Sequence, residues 1–311
     1  MSRSLKVAAL VSIATLGLLL AAMHQGRTLR AARLLRDVPG SARAVLRIDT
    51  RALERSATAD ALLAMLVPGE QLSEIESVCG LDPRTALAEA TAWVRGSEEQ
   101  PIESIGLMLR GRAADAVTLA DCHRLLVEAR GGSIVRIDSA SGPILANRST
   151  GSAIAALDAR TIVTGSVRTV AEAVAVQRGA IPSLAEGERV AALWPEVAAG
   201  AGIAAIVDPP AHWKSAIARV MELDEQDSAL DRVETFALSA GPRGGEAVVI
   251  HIRADERWNA ERLSAVLERW LASPPERIGP EWVQVFNTAS FARHDRTIAL
   301  TLNVASLSAS R

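Results

Sequence analysis

Five histidines, two cysteines and one acidic run are the side chains whose types could do chemistry in this 311-residue chain. His24, His123, His212, His251 and His294 never stand at the helical spacing that presents two imidazoles to one metal ion. His123 adjoins Cys122, but consecutive residues of a helix point in different directions, so the two do not share an ion. Cys79 and Cys122 make no C-x-x-C, which removes the metal and redox-motif readings. Cys79 shares an apolar helical face with Leu72 and Ile75; Cys122 shares one with Leu119, Leu126 and Ala129. Both are expected as free core thiols behaving as small hydrophobes. A disulfide between them is the alternative in an oxidising compartment.

Asp224, Glu225, Asp227 and Asp231 lack the central glycine and the closing glutamate of a calcium loop, and read as a solvated connection. Thr164 to Arg168 runs from a strand into a helix, where free backbone amides could hold an anion. The plainer reading is that Ser166 caps the helix. No Gly-x-Ser-x-Gly, phosphate-binding loop, dinucleotide fingerprint or His-Glu-x-x-His occurs. No catalytic, cofactor-binding or metal residue is therefore assigned, and no cofactor is expected. Trp213 and Trp270 sit at helical spacing as core residues. Trp258 and Trp282 lie near element ends, where packing is the first reading and a partner anchor the second.

Composition bounds the rest. A hydrophobic fraction of 49% with 23% charged residues describes a globular chain. A net charge of −2 removes the electrostatic case for nucleic acid. Lysine occurs only at Lys6 and Lys214, a bias towards arginine and alanine rather than a recognition device.

The elements follow from periodicity. Ala44–Asp49 reads as a strand, and Thr50–Leu66 as a helix capped by Thr50 and stopped at Pro68-Gly69. Short helices follow at Glu70–Cys79 and after Asp82-Pro83. Glu89–Arg95 and Ile102–Arg110 form a hairpin, Val117–Ala129 a helix, and Ile134–Asp138 with Pro143–Asn147 a second hairpin. Ala153–Leu157, Arg160–Thr164 and a helix Val167–Gln177 close the first half at Pro182-Ser183. The second half repeats the plan: a strand at Gly202–Val207, a helix bearing Trp213, and a hairpin of Arg232–Ala240 with Glu246–Arg253. A helix Glu256–Ala272 and a hairpin of Glu281–Thr288 with Thr297–Val304 end it. The expected class is α+β: two tandem split β-α-β (ferredoxin-like) units with antiparallel sheets, after one N-terminal transmembrane helix. The boundaries are 1–36 for anchor and basic stalk, 37–182 for the first unit and 183–311 for the second.

Alternation puts His251 and Arg253 of one strand, with Thr301 and Asn303 of another, on the sheet face opposite the helices. That flat, mixed face is the candidate protein-partner surface. It would meet either the sheet of the other half or an external partner.

Val7–Met23 is uncharged and long enough to span a hydrocarbon core. No cleavage site or lipidated cysteine follows it, so an uncleaved anchor holding the chain to a membrane is expected. Arg27, Arg30, Arg33 and Arg36, read literally, favour a cytoplasmic body. The ordinary export arrangement favours a periplasmic one, and a single-pass inner-membrane protein with a periplasmic body is the expectation adopted. The stretch VPGSARAVLRIDTRALERS, the CGLDP at Cys79–Pro83 and the paired WVRG and GLMLRG strands resemble uncharacterised, N-terminally anchored bacterial exported proteins. That resemblance spans roughly Val38–Ala146 and implies an exported, tethered location with no known activity. The function expected is a non-enzymatic binding or scaffolding module. The alternatives are a cytoplasmic-facing accessory subunit of a membrane complex and an enzyme with its site between the two units.

Overall fold

Apolar residues alternating with small or polar ones mark most of the strands, and the computed structural model joins twelve strands into one sheet. It describes residues 35–53, 69–97, 100, 102–139, 142–187, 190, 193–194, 197–198, 201–220, 228–241, 247–272 and 280–303. The strands are β1 Ala42–Asp49, β2 Leu87–Arg95, β3 Ser104–Gly111, β4 Ile134–Ser139, β5 Gly142–Asn147 and β6 Ser152–Ala156. They continue as β7 Thr161–Ser166, β8 Ile203–Val207, β9 Val233–Ala240, β10 Ala247–Ala254, β11 Ser290–His294 and β12 Thr297–Asn303. Their order in the sheet is β11-β12-β10-β9-β8-β1-β2-β3-β7-β6-β5-β4, and every neighbouring pair is antiparallel.

This corrects the expectation of two ferredoxin-like units. Such a unit needs a parallel strand pair bridged by a crossover helix. Here the chain returns from β1 directly into an antiparallel β2, and from β8 into an antiparallel β9, so the intervening helices are excursions rather than crossovers. The repeated element order nonetheless survives. From the seam outwards the halves run β1-β2-β3-β7-β6 and β8-β9-β10-β12-β11, the same succession of elements on either side of the β1–β8 pair, with β5 and β4 added at the outer end of the first. Ala44 faces Val207, Leu46 faces Ala205 and Ile48 faces Ile203 across that seam. The halves therefore meet edge to edge, not face to face.

Eight helices are described: α1 Thr50–Leu53, α2 Gly69–Cys79, α3 Pro83–Ala86, α4 Ala116–Ala129, α5 Val167–Gln177, α6 Ala211–Val220, α7 Arg257–Ala272 and α8 Pro280–Asn287. On the back face of the sheet, Ile154 and Ile162 pack under Ala116 and Leu119 of α4. In the second half, Leu238, Ile252, Ile298 and Leu300 pack under Leu263, Val266 and Leu267 of α7 and Val285 of α8. The front face is covered as well, but only in part. Val45, Trp93, Met108, Val163, Ile206 and Ala237 lie under Val170, Ala173 and Val174 of α5 and under Leu193, Trp194 and Val197. Among the described residues, helices on one side only, as alternation suggested, hold for the outer second half alone.

Local chemistry explains most boundaries. Asp82 caps α3, its carboxylate accepting from the Arg84 amide, with Pro83 at the first helical position. Ser166 caps α5 by accepting from the Thr169 amide. Thr50 spends its hydroxyl elsewhere, donating to the Leu87 carbonyl at 2.6 Å. Glu281–Thr288, expected as a strand, is the helix α8: Val285 and Phe286 turn towards α7, where Phe286 meets Trp270 edge-on at 4.8 Å. Trp270 is thereby half-buried, not central to the core. Cys79 and Cys122 are not free thiols. They are bonded to each other, with Cα atoms 5.0 Å apart.

No helix among the described residues is long and apolar enough to cross a membrane. The expected single-pass inner-membrane location with a periplasmic body is corrected accordingly. Val7–Met23, on which it rested, lies outside the described residues, as do Arg27, Arg30 and Arg33, the helix expected beyond Leu53, and Asp224, Glu225 and Asp227.

Candidate functional site

Two side-by-side rows of side chains cross the front face at right angles to the strands. One runs Met108, Thr91, Arg47, Ala204, Ser239, Val249, Thr301 and Ser290; the other runs Trp93, Val45, Ile206, Ala237, His251, Ala299 and Ala292. The polar members fall into three groups, from the middle of the sheet outwards.

The innermost is an ion pair that the sequence reading did not single out. Arg47, only 5% exposed, donates from Nε to Glu89 on the neighbouring strand, and its Nη2 lies 3.4 Å from Asp49 Oδ2. Burial pushes the Glu89 carboxyl above its ordinary range, with the Arg47 guanidinium pulling the other way. Thr91 beside it is buried, its hydroxyl without a hydrogen-bond partner among the described residues. The signal was present in AVLRID: a charge at the inward period of a strand too apolar to be an edge.

Next comes His251. Its Nε2 lies 3.2 Å from the Ser239 hydroxyl, the arrangement of a base and a nucleophile. Ser239, however, is 0% exposed and His251 8%, so no substrate reaches the oxygen. The pair satisfies two buried polar groups.

The outermost group is the predicted surface. Thr301 stands opposite Val249 and His251 opposite Ala299, so the strands do bring His251, Arg253 and Thr301 to one face. Asn303 lies opposite Ala247 at the end of β12. Exposure rises steadily outwards: His251 is buried, Val249, Arg253, Ala299 and Thr301 are intermediate, and Ser290, Ala292 and His294 are exposed. Arg253 sits 3.7 Å from Glu234.

Other candidates close on themselves. Arg168, after the strand-to-helix turn, belongs to a ring of alternating charges with Glu103, Arg95 and Glu172, so the proposed anion site is already neutralised by carboxylates. At the Pro182 seam an open cleft of about 780 Å³ is lined by Arg36, Asp37, Gln177, Ser183 and Glu186. Burial and the nearby Asp158 raise Asp37, while the amide and hydroxyl of Ser183 hold Glu186 low. Glu186 is thus spent on a cap, and Gln177 on the Leu157 carbonyl. No trio of His, Cys, Asp or Glu among the described residues could hold a metal ion. Trp258 is 53% exposed and donates its indole N–H to Glu256.

No protein-family model matches this sequence, and no curated protein matches it. Crystal structures of TP0453 are similar to it. Crystal form I has a TM-score of 0.51 at 9% identity, covering 88% of this chain and 94% of that one. Form III has a TM-score of 0.48 at 9% identity over 88% and 96%, and form IV 0.48 at 10% over 89% and 95%. The likeness to form I extends over most of both chains and concerns the fold alone.

Proposed function

We propose that this protein is a non-enzymatic binding or scaffolding module whose protein partner seats on the outer front face, over β10, β12 and β11. The observation that supports this reading is the one-sided cover of those strands. Their back face is closed by α7 and α8, while their front face grades from half-buried Thr301 and Ala299 to exposed Ser290, Ala292 and His294. A flat ledge of small and polar side chains lacks the apolar concavity of a small-molecule pocket and suits the wet, hydrogen-bonded contacts of a protein interface. The outer edge of β11 has no strand partner among the described residues, so its backbone N–H and C=O groups are available to an added strand.

The reading is tested by placing a photo-crosslinking residue at Ala292 or Thr301, with Val117 on α4 as control. One and the same adduct is expected from the first two positions and not from Val117. With the crosslinker at Ala292, changing Arg253→Gln together with Thr301→Glu should abolish the adduct while stability stays within about 1 kcal/mol. Adducts absent from the ledge, or identical at Val117, contradict the proposal.

A further inference from the structure

We propose that the Cys79–Cys122 disulfide is a reducible latch that fixes α2 against α4, and that reduction frees α2 while the sheet stays folded. Three observations carry this. First, α2 has no core of its own: none of its residues is fully buried, and Leu72, Ile75, Val78 and Cys79 are only half-buried. Second, among the described residues its polar tie to the end of α4, apart from the cysteines, is a two-pronged but solvent-exposed ion pair of Glu74 with Arg130, which water and salt screen and which cannot replace a covalent bond. Third, α4 is held independently, with Ala116, Leu119 and Val127 buried and the first two packed on Ile154 and Ile162.

The boundary of the freed arm is also defined. Gly80, at φ +65°, ends α2 in a left-handed conformation that glycine adopts without strain. Three residues later α3 begins, and its Ala86 is buried. The cysteines are separated by 43 positions, and the interval contains β2 and β3, whose ladders to β1 and β7 do not involve the sulfurs. In the folded protein the constraint falls on α2.

The chemistry requires an external dithiol. Its thiolate attacks Cys79 Sγ, in the less buried of the two cysteines, forming a mixed disulfide and expelling Cys122 as thiolate. The second thiol then closes on the first sulfur, releasing Cys79. The protein gains two electrons and two protons, and the dithiol becomes a disulfide. What is bared is the face of α4 around Cys122, together with Leu72, Ile75 and Val78 of α2.

The test is a short pulse of hydrogen exchange on the folded full chain, before and after dithiothreitol and alkylation. Exchange in residues 71–80 should accelerate about tenfold or more on reduction, while β2, β3 and the buried turns of α4 stay protected through the same pulse. Glu74→Ala should loosen α2 further in the reduced protein and change nothing in the oxidised one. Loss of protection across β2 and β3 as well would make the bond a general crosslink and overturn the latch. Unchanged exchange in α2 would overturn it equally. Should Cys79→Ser with Cys122→Ser fail to fold, reduction of the already folded protein still decides between these outcomes.

Discussion

Arg47 and Glu89 place opposite charges near the middle of the sheet, and their value lies in being together. Removing Arg47 leaves Glu89 buried without compensation, whereas removing both leaves only the less buried Asp49, which water can reach. Arg47→Met should therefore cost about 3–5 kcal/mol, and Arg47→Met with Glu89→Met much less than either single change implies. The single variant carries a sign in pH. Without the guanidinium, burial pushes the Glu89 carboxyl further above the ordinary carboxylate range. In that window the folded protein binds more protons than the unfolded chain, so stability recovers as pH falls towards 5 and is worst at pH 8. Urea unfolding of the four proteins at both pH values checks this, and additive losses would contradict it. At this scale the sequence was half legible. Alternation placed His251, Arg253 and Thr301 on one face, but it could not say that His251 would be buried against Ser239. That depends on which residues cover the sheet, and cover is a long-range property.

Capping and punctuation were the most legible features of the elements, because they are local. Asp82-Pro83 and Ser166 act where the sequence places them, whereas Thr50 gives its hydroxyl to a neighbouring strand. The failures came where two periods compete. Trp282, Val283, Val285 and Phe286 fit a strand loosely and a helix well, and packing against Trp270 decides for the helix. Helical faces marked the cysteines as apolar but did not reveal that α2 and α4 run side by side. One contact between elements is sharply testable. The indole of Trp93 lies over Gly106, where an added Cβ would come within 2.2 Å of ring atoms and 2.8 Å of the Thr169 methyl. Trp93 is fully buried and has nowhere to move. Gly106→Ala should destabilise by about 1–3 kcal/mol or more. In a double-mutant cycle, Trp93→Leu should cancel part of that loss. A fully additive pair would mean that the ring does not sit on the glycine.

Over the whole molecule, the repeat was legible as element order, and the architecture was not. Strand, helix, hairpin, helix, hairpin is compatible with two closed units or with one shared sheet, and only the pairing partner of each first strand distinguishes them. In this protein β1 and β8 pair with each other, so the two halves share one continuous sheet, and the open ledge falls at one far edge. The most direct test is nuclear Overhauser contact between backbone protons of Val45–Ile48 and those of Ile203–Ile206. The shared sheet predicts cross-strand contacts centred on Leu46 and Ala205. Contacts of β1 with β2 alone, and of β8 with β9 alone, would contradict it.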